Sequence, residues 1–242
     1  MTTTRERAIN LRDWEARANQ AGRLKMLVRP AKPQPISPGE GAYFDAYNGG
    51  PEWTWWTPDN RQYLSQIIRC PYGKPGDRLR GREAWALVNA DEDGIDDWVD
   101  MGPIPNQLPW PGWQVWHRAG HSWAYDHPDD RGFRWRSAIT MPRWAVRNWL
   151  EITEVRCGRA RDMSHRDMLF AGWPDHDKLC GGEPTGTHWD YVTKGDWINA
   201  IGDGDDGCVE WFADQYDADH GEGAWERDWV WMIGVKRIEV PS

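Results

Sequence analysis

The chain mixes two hydrophobic periods. Between residues 11 and 22, Leu11, Trp14 and Ala18 recur at helical spacing and Gly22 supplies a stop, which predicts a helix. LKMLVR (24–29) reads as a short strand. Residues 30–77 are punctuated by Pro, Gly and polar aromatics and are expected to be a long irregular excursion. Residues 77–88 have strand character after a Pro-Gly turn, and 113–120 is the expected partner across an acidic loop. A strand rich in β-branched and aromatic residues is predicted over 147–157. Helices are predicted over 163–172, capped by Ser164 and stopped at Gly172, and over 208–218. Residues 229–240 are nearly all apolar, the pattern of a strand buried on both faces. Widely spaced strands with helices and long loops between them predict an α+β domain on a small mixed β-barrel or strongly curved sheet. No internal repeat or low-complexity linker divides residues 1–242, so one elaborated domain is expected.

Composition adds one constraint: 20 Trp in 242 residues, at a mean hydropathy of -0.84. Much of the apolar burial must come from rings with a polar edge, and each buried indole N–H needs an acceptor. MTTTRERAIN lacks the apolar core of a secretory signal and no run approaches a bilayer span, so no membrane partner is expected. Cys70, Cys157, Cys180 and Cys208 are far apart, which predicts reduced, buried thiols. DGDDGCVEW departs from the EF-hand pattern, and His117 and His121 fall in a strand and turn, so neither metal nor cofactor is expected.

Charge changes the picture more. The formal net charge is -9, yet residues 1–35 carry eight basic against three acidic side chains, and 131–166 carry nine Arg, no Lys and three acids. Arg offers a planar fork for phosphate and stacks on bases, so nucleic acid becomes a candidate partner. Within these blocks Arg23, Lys25 and Arg29 are candidate phosphate contacts around a buried Leu24 and Leu27. Arg143, Trp144 and Arg147 place two guanidinium groups beside one indole, a combination that can stack a base and hold its phosphate. Glu83 and Trp85 alternate toward one side of a strand, and Glu83 is the best carboxylate for reading a base edge or for catalysis. Its structural role would be an ion pair with Arg82 or Arg147. Against these stand two acidic stretches, 91–100 and 203–228, which could occupy a host protein as a nucleic-acid mimic.

Several segments, in order, resemble one family: AGRLKMLVRPAKPQP, CPYGKPGDRLRGREAW, WHRAG, SAITMPRWAVRNWLEITEVRC, the helix near 164–172, DWINAIG and WVWMIGVKRIEV. Together they look like the ASCH proteins of bacteriophages and prophages, within the PUA-like superfold. The resemblance spans most of the chain except insertions near 40–65, 89–111 and 203–226. It implies a small β-barrel flanked by helices, with a cleft at one end that relatives use for RNA, modified bases or nucleosides, and a location in the cytoplasm of a bacterial host. The family's amidohydrolase, which removes acetyl from acetylcytidine, uses a Lys and a Thr of a Gly-Arg-Lys-Thr-x-Thr segment and a helix Glu. Aligned on Gly22 and Arg23, these positions hold Leu24, Leu27 and Ala171, none of which can move a proton or attack. The expectation is therefore a non-catalytic protein that binds nucleic acid or a nucleotide in a cleft lined by Arg23, Lys25, Arg29, Glu83, Trp85, Arg143, Trp144 and Arg147. The alternatives are an amidohydrolase or nuclease with chemistry relocated to Glu83 and Lys25, and an acidic inhibitor acting through Asp203, Asp205 and Asp206.

Overall fold

The computed structural model describes residues 4–37, 43–46, 52–56, 62–89, 113–120, 134–172 and 206–239, with Ile104 and Asn106. Its centre is a five-stranded mixed sheet. The strands are β1 (Glu6–Asn10), β2 (Met26–Pro30), β6 (Arg78–Arg82), β9 (Asn148–Arg159) and β10 (Trp229–Arg237), in the order β1-β6-β9-β10-β2. Only the β1–β6 pairing is parallel; the other three ladders are antiparallel. The sheet curls so that Ile9, Leu27, Leu79, Leu150, Ile152 and Ile233, one or two from each strand, meet on its concave face. The burial of β10 on both faces follows from period-2 alternation. Trp231, Ile233 and Val235 join that core, while Val230 and Met232 face a second cluster outside it.

Four helices accompany the sheet among the described residues. Helix α1 (Asp13–Gln20) lies between β1 and β2. Helices α2 (His165–Phe170), α3 (Asp206–His220) and α4 (Ala224–Arg227) cover the outer face of β2 and β10 through Met168, Phe212, Tyr216 and Trp225. Ser164 caps α2 as its sequence predicts, its hydroxyl accepting from the Asp167 N–H at 3.2 Å. At the end of α2, Gly172 has φ +92°, and a Cβ there would stand 2.7 Å from the Ala18 Cβ, so glycine lets α2 abut α1. No helix among the described residues is long and apolar enough to cross a membrane.

Three expectations need correction. The irregular excursion over 30–77 contains β3 (Tyr43–Ala46), β4 (Glu52–Trp56) and β5 (Gln62–Arg69), a three-stranded antiparallel sheet. Its short strands lie between Pro and Gly punctuation and hold through aromatic packing. Phe44 and Trp55 lie 5.3 and 5.4 Å from Trp229, and Trp53 meets Trp231 edge-on at 6.1 Å. The strand over 77–88 is two strands, β6 and β7 (Trp85–Asn89). It breaks at Glu83-Ala84, and β7 pairs with β8 (Trp113–His117) in a sheet of its own, the pairing across the acidic loop that was expected. The barrel does not close: β1 and β2 are edge strands with no ladder between them among the described residues.

Arg29 spans the open seam. It follows Leu27 on the concave side, and its guanidinium donates to Glu15 Oε1 and Oε2 at 2.6 and 2.8 Å, to Val28 O and to Asn10 O at the end of β1. A buried ion pair from α1 thus occupies the place where a backbone ladder would run. Cys70 and Cys157 are buried free thiols, and burial pushes Cys157 up to about 12.

Burial by itself would raise the Glu15 carboxyl, but Arg29 and Arg12 hold it below the usual carboxylate range. Asp77 is likewise lowered, its burial outweighed by the N–H groups of Arg5 and Lys74 and by Arg7; so is Asp167, by Arg156 and Ser164. Groups depressed in the folded state stabilise it above their unfolded values of about 4 and cease to do so as pH falls through the folded values. Urea midpoints should therefore hold above about pH 5 and fall most steeply as pH drops below about 4. Glu15→Gln, which strands Arg29, should cost roughly 3–5 kcal/mol at pH 7 and should lose less than the wild type on further acidification. A Glu15→Gln midpoint equal to wild type would contradict the role given to this pair.

Candidate functional site

At one rim of the curved sheet β1, β6 and β10 end while β2 and β9 begin. That rim brings together Glu83 and Arg147, two of the residues the sequence singles out. Gly81 of β6 faces Asn148 of β9 there, and a Cβ at Gly81 would stand 2.6 Å from Leu11 Cδ1 and 2.9 Å from Asn148 Cβ. Glycine at this position is what allows the chain entering α1 to lie against the rim.

Glu83, in the break after β6, is 0 % exposed. A carboxylate so buried must be paired. Arg147 donates Nε to its Oε1 at 2.8 Å and Nη2 to its Oε2 at 2.9 Å, and Asn148 Nδ2 donates to Oε1 at 2.6 Å. The ionised carboxylate only accepts, so it sets the direction of everything behind it. Asn148 must show Glu83 its amide N–H and therefore turns Oδ1 toward α1, where it accepts from Asn19 Nδ2 at 2.8 Å and Gln20 Nε2 at 2.7 Å. Gln20 in turn offers Oε1 and its backbone carbonyl to Arg237 of β10, at 3.4 and 3.2 Å. The polar run thus has a guanidinium at each end and one buried carboxylate. Asn19 Oδ1 is left buried with no hydrogen-bond donor among the described residues.

Arg147 is the outward member. Its side chain is 31 % exposed, and Nη1 makes no hydrogen bond among the described residues. Gly120 lies alongside it, where a Cβ would stand 3.6 Å from Nη1. A planar guanidinium held along one edge by Glu83, with its other edge directed past a glycine, can take an anion by two parallel hydrogen bonds. Trp85 is fully buried: it donates Nε1 to Thr140 Oγ1 at 3.2 Å, meets Trp144 edge-on at 6.3 Å and has Arg136 over its ring at 5.7 Å.

The remaining candidates lie apart from this pair. Arg29 is not a surface phosphate contact; it is buried against Glu15 in the seam. Leu24 and Leu27 are core residues, and Lys25 is exposed at the start of β2, its N–H bonded to Phe170 O. Arg23 is half-buried just after α1, and Ala171 is buried at the end of α2. Arg143 leaves the rim altogether: it stacks 4.9 Å over Trp149 and donates Nε and Nη2 to Glu6. The acidic stretch 91–100, Asp203 and Asp205, and His121 lie outside the described residues. No group of three or more His, Cys, Asp or Glu among the described residues could hold a metal ion.

Sequence reasoning missed Asn19, Gln20, Asn148 and Arg237. A signal existed for two of them. Glu15 and Asn19, four residues apart, share the face of α1 that Ala16 and Ala18 bury, and Asn148 opens a strand otherwise apolar at its start. Polar residues on buried faces point to partners inside the fold.

Asn148→Ala should cost about 1–3 kcal/mol, since it leaves the Asn19 and Gln20 donors unpaired. Asn148→Asp should cost more at pH 7, because it sets a second acceptor-only group against Glu83, and its deficit should shrink at acidic pH. Urea melts of both variants check this; an Asn148→Asp protein as stable as wild type would refute the direction assigned to the network. Comparison with family models, with curated proteins and with solved structures finds no match for this chain.

Proposed function

We propose that this chain is a non-catalytic binding protein of the ASCH group, within the PUA-like superfold, and that it takes nucleic acid or a nucleotide at the sheet rim. The observation that carries the reading is Arg147, clamped by Glu83, with a donor edge past Gly120 that makes no hydrogen bond among the described residues. A guanidinium held along one edge can fork onto a phosphate, and the half-buried Trp144, three residues earlier in the chain, is the ring this reading assigns to a base. The α+β architecture, with a strongly curved sheet and α1 lying across one rim, is compatible with a PUA-like core whose seam is filled by an ion pair in place of a strand ladder.

Binding is favoured over turnover for a chemical reason. Both Glu83 oxygens accept strong hydrogen bonds, so this carboxylate positions Arg147 and is poorly placed to shuttle protons. Lys25 points to solvent at the start of β2, and the family's Lys and Thr positions hold the buried Leu24 and Leu27.

The test is a panel of fluorescent single- and double-stranded RNA and DNA and of labelled nucleotides, titrated at two salt concentrations. Arg147→Ala should weaken the best ligand roughly 10- to 100-fold, the equivalent of about 1.5–3 kcal/mol for a charge-assisted contact. Affinity should fall as salt rises. A labelled mononucleotide bound equally well by Arg147→Ala, or bound without salt dependence, would overturn the assignment of this rim.

A further inference from the structure

The convex face of β1, β6 and β9 carries a second cationic array that the rim does not use. Period-2 alternation turns Leu79 and Gly81 inward and leaves Arg78, Arg80 and Arg82 in one row outside. Arg143, stacked over Trp149, joins the row from the side, because Trp149 is the cross-strand partner of Arg80. Four guanidinium groups therefore share a face with one described acid that engages them, Glu6. Glu151 lies opposite Arg78 in the ladder, but Lys236 holds it at 2.8 Å.

The array is incompletely satisfied. Glu6 accepts Arg143 Nε and Nη2 at 3.3 and 3.1 Å, while Arg80 Nε stands 3.9 Å from the same carboxylate. Arg80 Nε is buried and makes no hydrogen bond among the described residues. Arg82 gives Nε to Asn10 Oδ1 and Nη1 to Ile139 O, and Arg78 is exposed with no ion pair among the described residues. Burial and the neighbouring Arg80 both lower the Arg82 pKa, the signature of cations crowded without enough counter-charge. The face is accessible at the Arg143 side, where the side chains of Arg143 and Glu6 are 51 % and 33 % exposed and Ile139 beside Arg82 is 66 % exposed, while Arg80 is 24 % exposed and Trp149 is buried beneath Arg143.

We propose that this face binds the phosphate backbone of a single-stranded nucleic acid, with the Glu6 carboxylate occupying one phosphate position between Arg80 and Arg143 when no ligand is bound. Alternate residues of a strand repeat at about 6.6 Å, a spacing suited to successive phosphates of an extended chain. The row is all Arg, the side chain whose fork takes phosphate oxygens in pairs. The exposed Ile139 offers an apolar surface to a base at one end of the row. The face has its own residues, so it stands or falls independently of the rim.

The experiment uses the full chain and fluorescein-labelled oligo-uridylate and oligo-thymidylate of twelve residues, read by anisotropy from low to moderate KCl. Each phosphate contact on a single strand contributes about 0.7 to the slope of log K against log salt. Arg80→Gln/Arg143→Gln, which removes the shared phosphate contact, should flatten that slope by about 0.7 and weaken binding at low salt at least tenfold. Glu6→Gln should act in the opposite direction, tightening the oligomer three- to tenfold, a gain that a damaged fold could not produce. In an Arg147→Ala background the Arg80→Gln/Arg143→Gln change should still flatten the oligomer's slope by the same amount, while a labelled mononucleotide reports the rim separately. The proposal is overturned if neither oligomer binds, if the double variant keeps the wild-type slope, or if Glu6→Gln fails to tighten binding. Displacement of the oligomer by tripolyphosphate at equal phosphate concentration would also overturn it, since a free polyphosphate would then be the ligand.

Discussion

A sheet that curls until its two edge strands approach each other must satisfy the backbone groups it leaves facing the gap. Here that task falls to the Arg29 side chain, reaching from the concave side of β2 to the last carbonyl of β1, with Glu15 of α1 closing round it. The pair does more than neutralise itself. It fixes how far apart β1 and β2 stand and ties α1 to both, which sets the helix's last turn against the start of β9. Asn19 and Gln20 meet Asn148 there, so the geometry of the rim depends on an ion pair buried behind it.

From the seam outward, polar direction is inherited. Glu83 accepts, Asn148 must donate to it, and the amides of α1 must donate to Asn148. Such a network tolerates only one arrangement of its amides, which is how a buried polar cluster gives a rigid site even where its net contribution to stability is small. Arg147 is presented by that rigidity with little rotamer freedom left to lose on binding a ligand.

The periodic elements were legible in sequence because burial and period agree. The strand at 147–157, the capped helix after Ser164 and the doubly buried β10 lie within a few residues of where their patterns place them. The short aromatic strands β3 to β5 were not legible, since Pro and Gly crowd around them and their stability comes from rings contacted far along the chain, above all Trp229 and Trp231. The open seam was hidden for a related reason: an Arg in a strand reads as a solvated position unless its partner Glu15, fourteen residues earlier, is seen to face it. At the candidate site the Glu83–Arg147 pair was among the anticipated alternatives. Grouping Arg143 with Arg147 was misleading, because the 3-10 turn at Arg143–Ala145 sends the two guanidinium groups to different faces.

Strand β6 is only five residues long, yet each of its two faces serves a different purpose: Leu79 and Gly81 build the core, and three arginines line the outside. Gaining or losing a single residue within Arg78–Arg82 would exchange the faces downstream of the event, driving guanidinium groups into the core and moving Glu83 off its seat. Divergent copies of this chain should therefore vary freely in the length of the loops between strands, while the residue count from Asp77 to Glu83 stays constant.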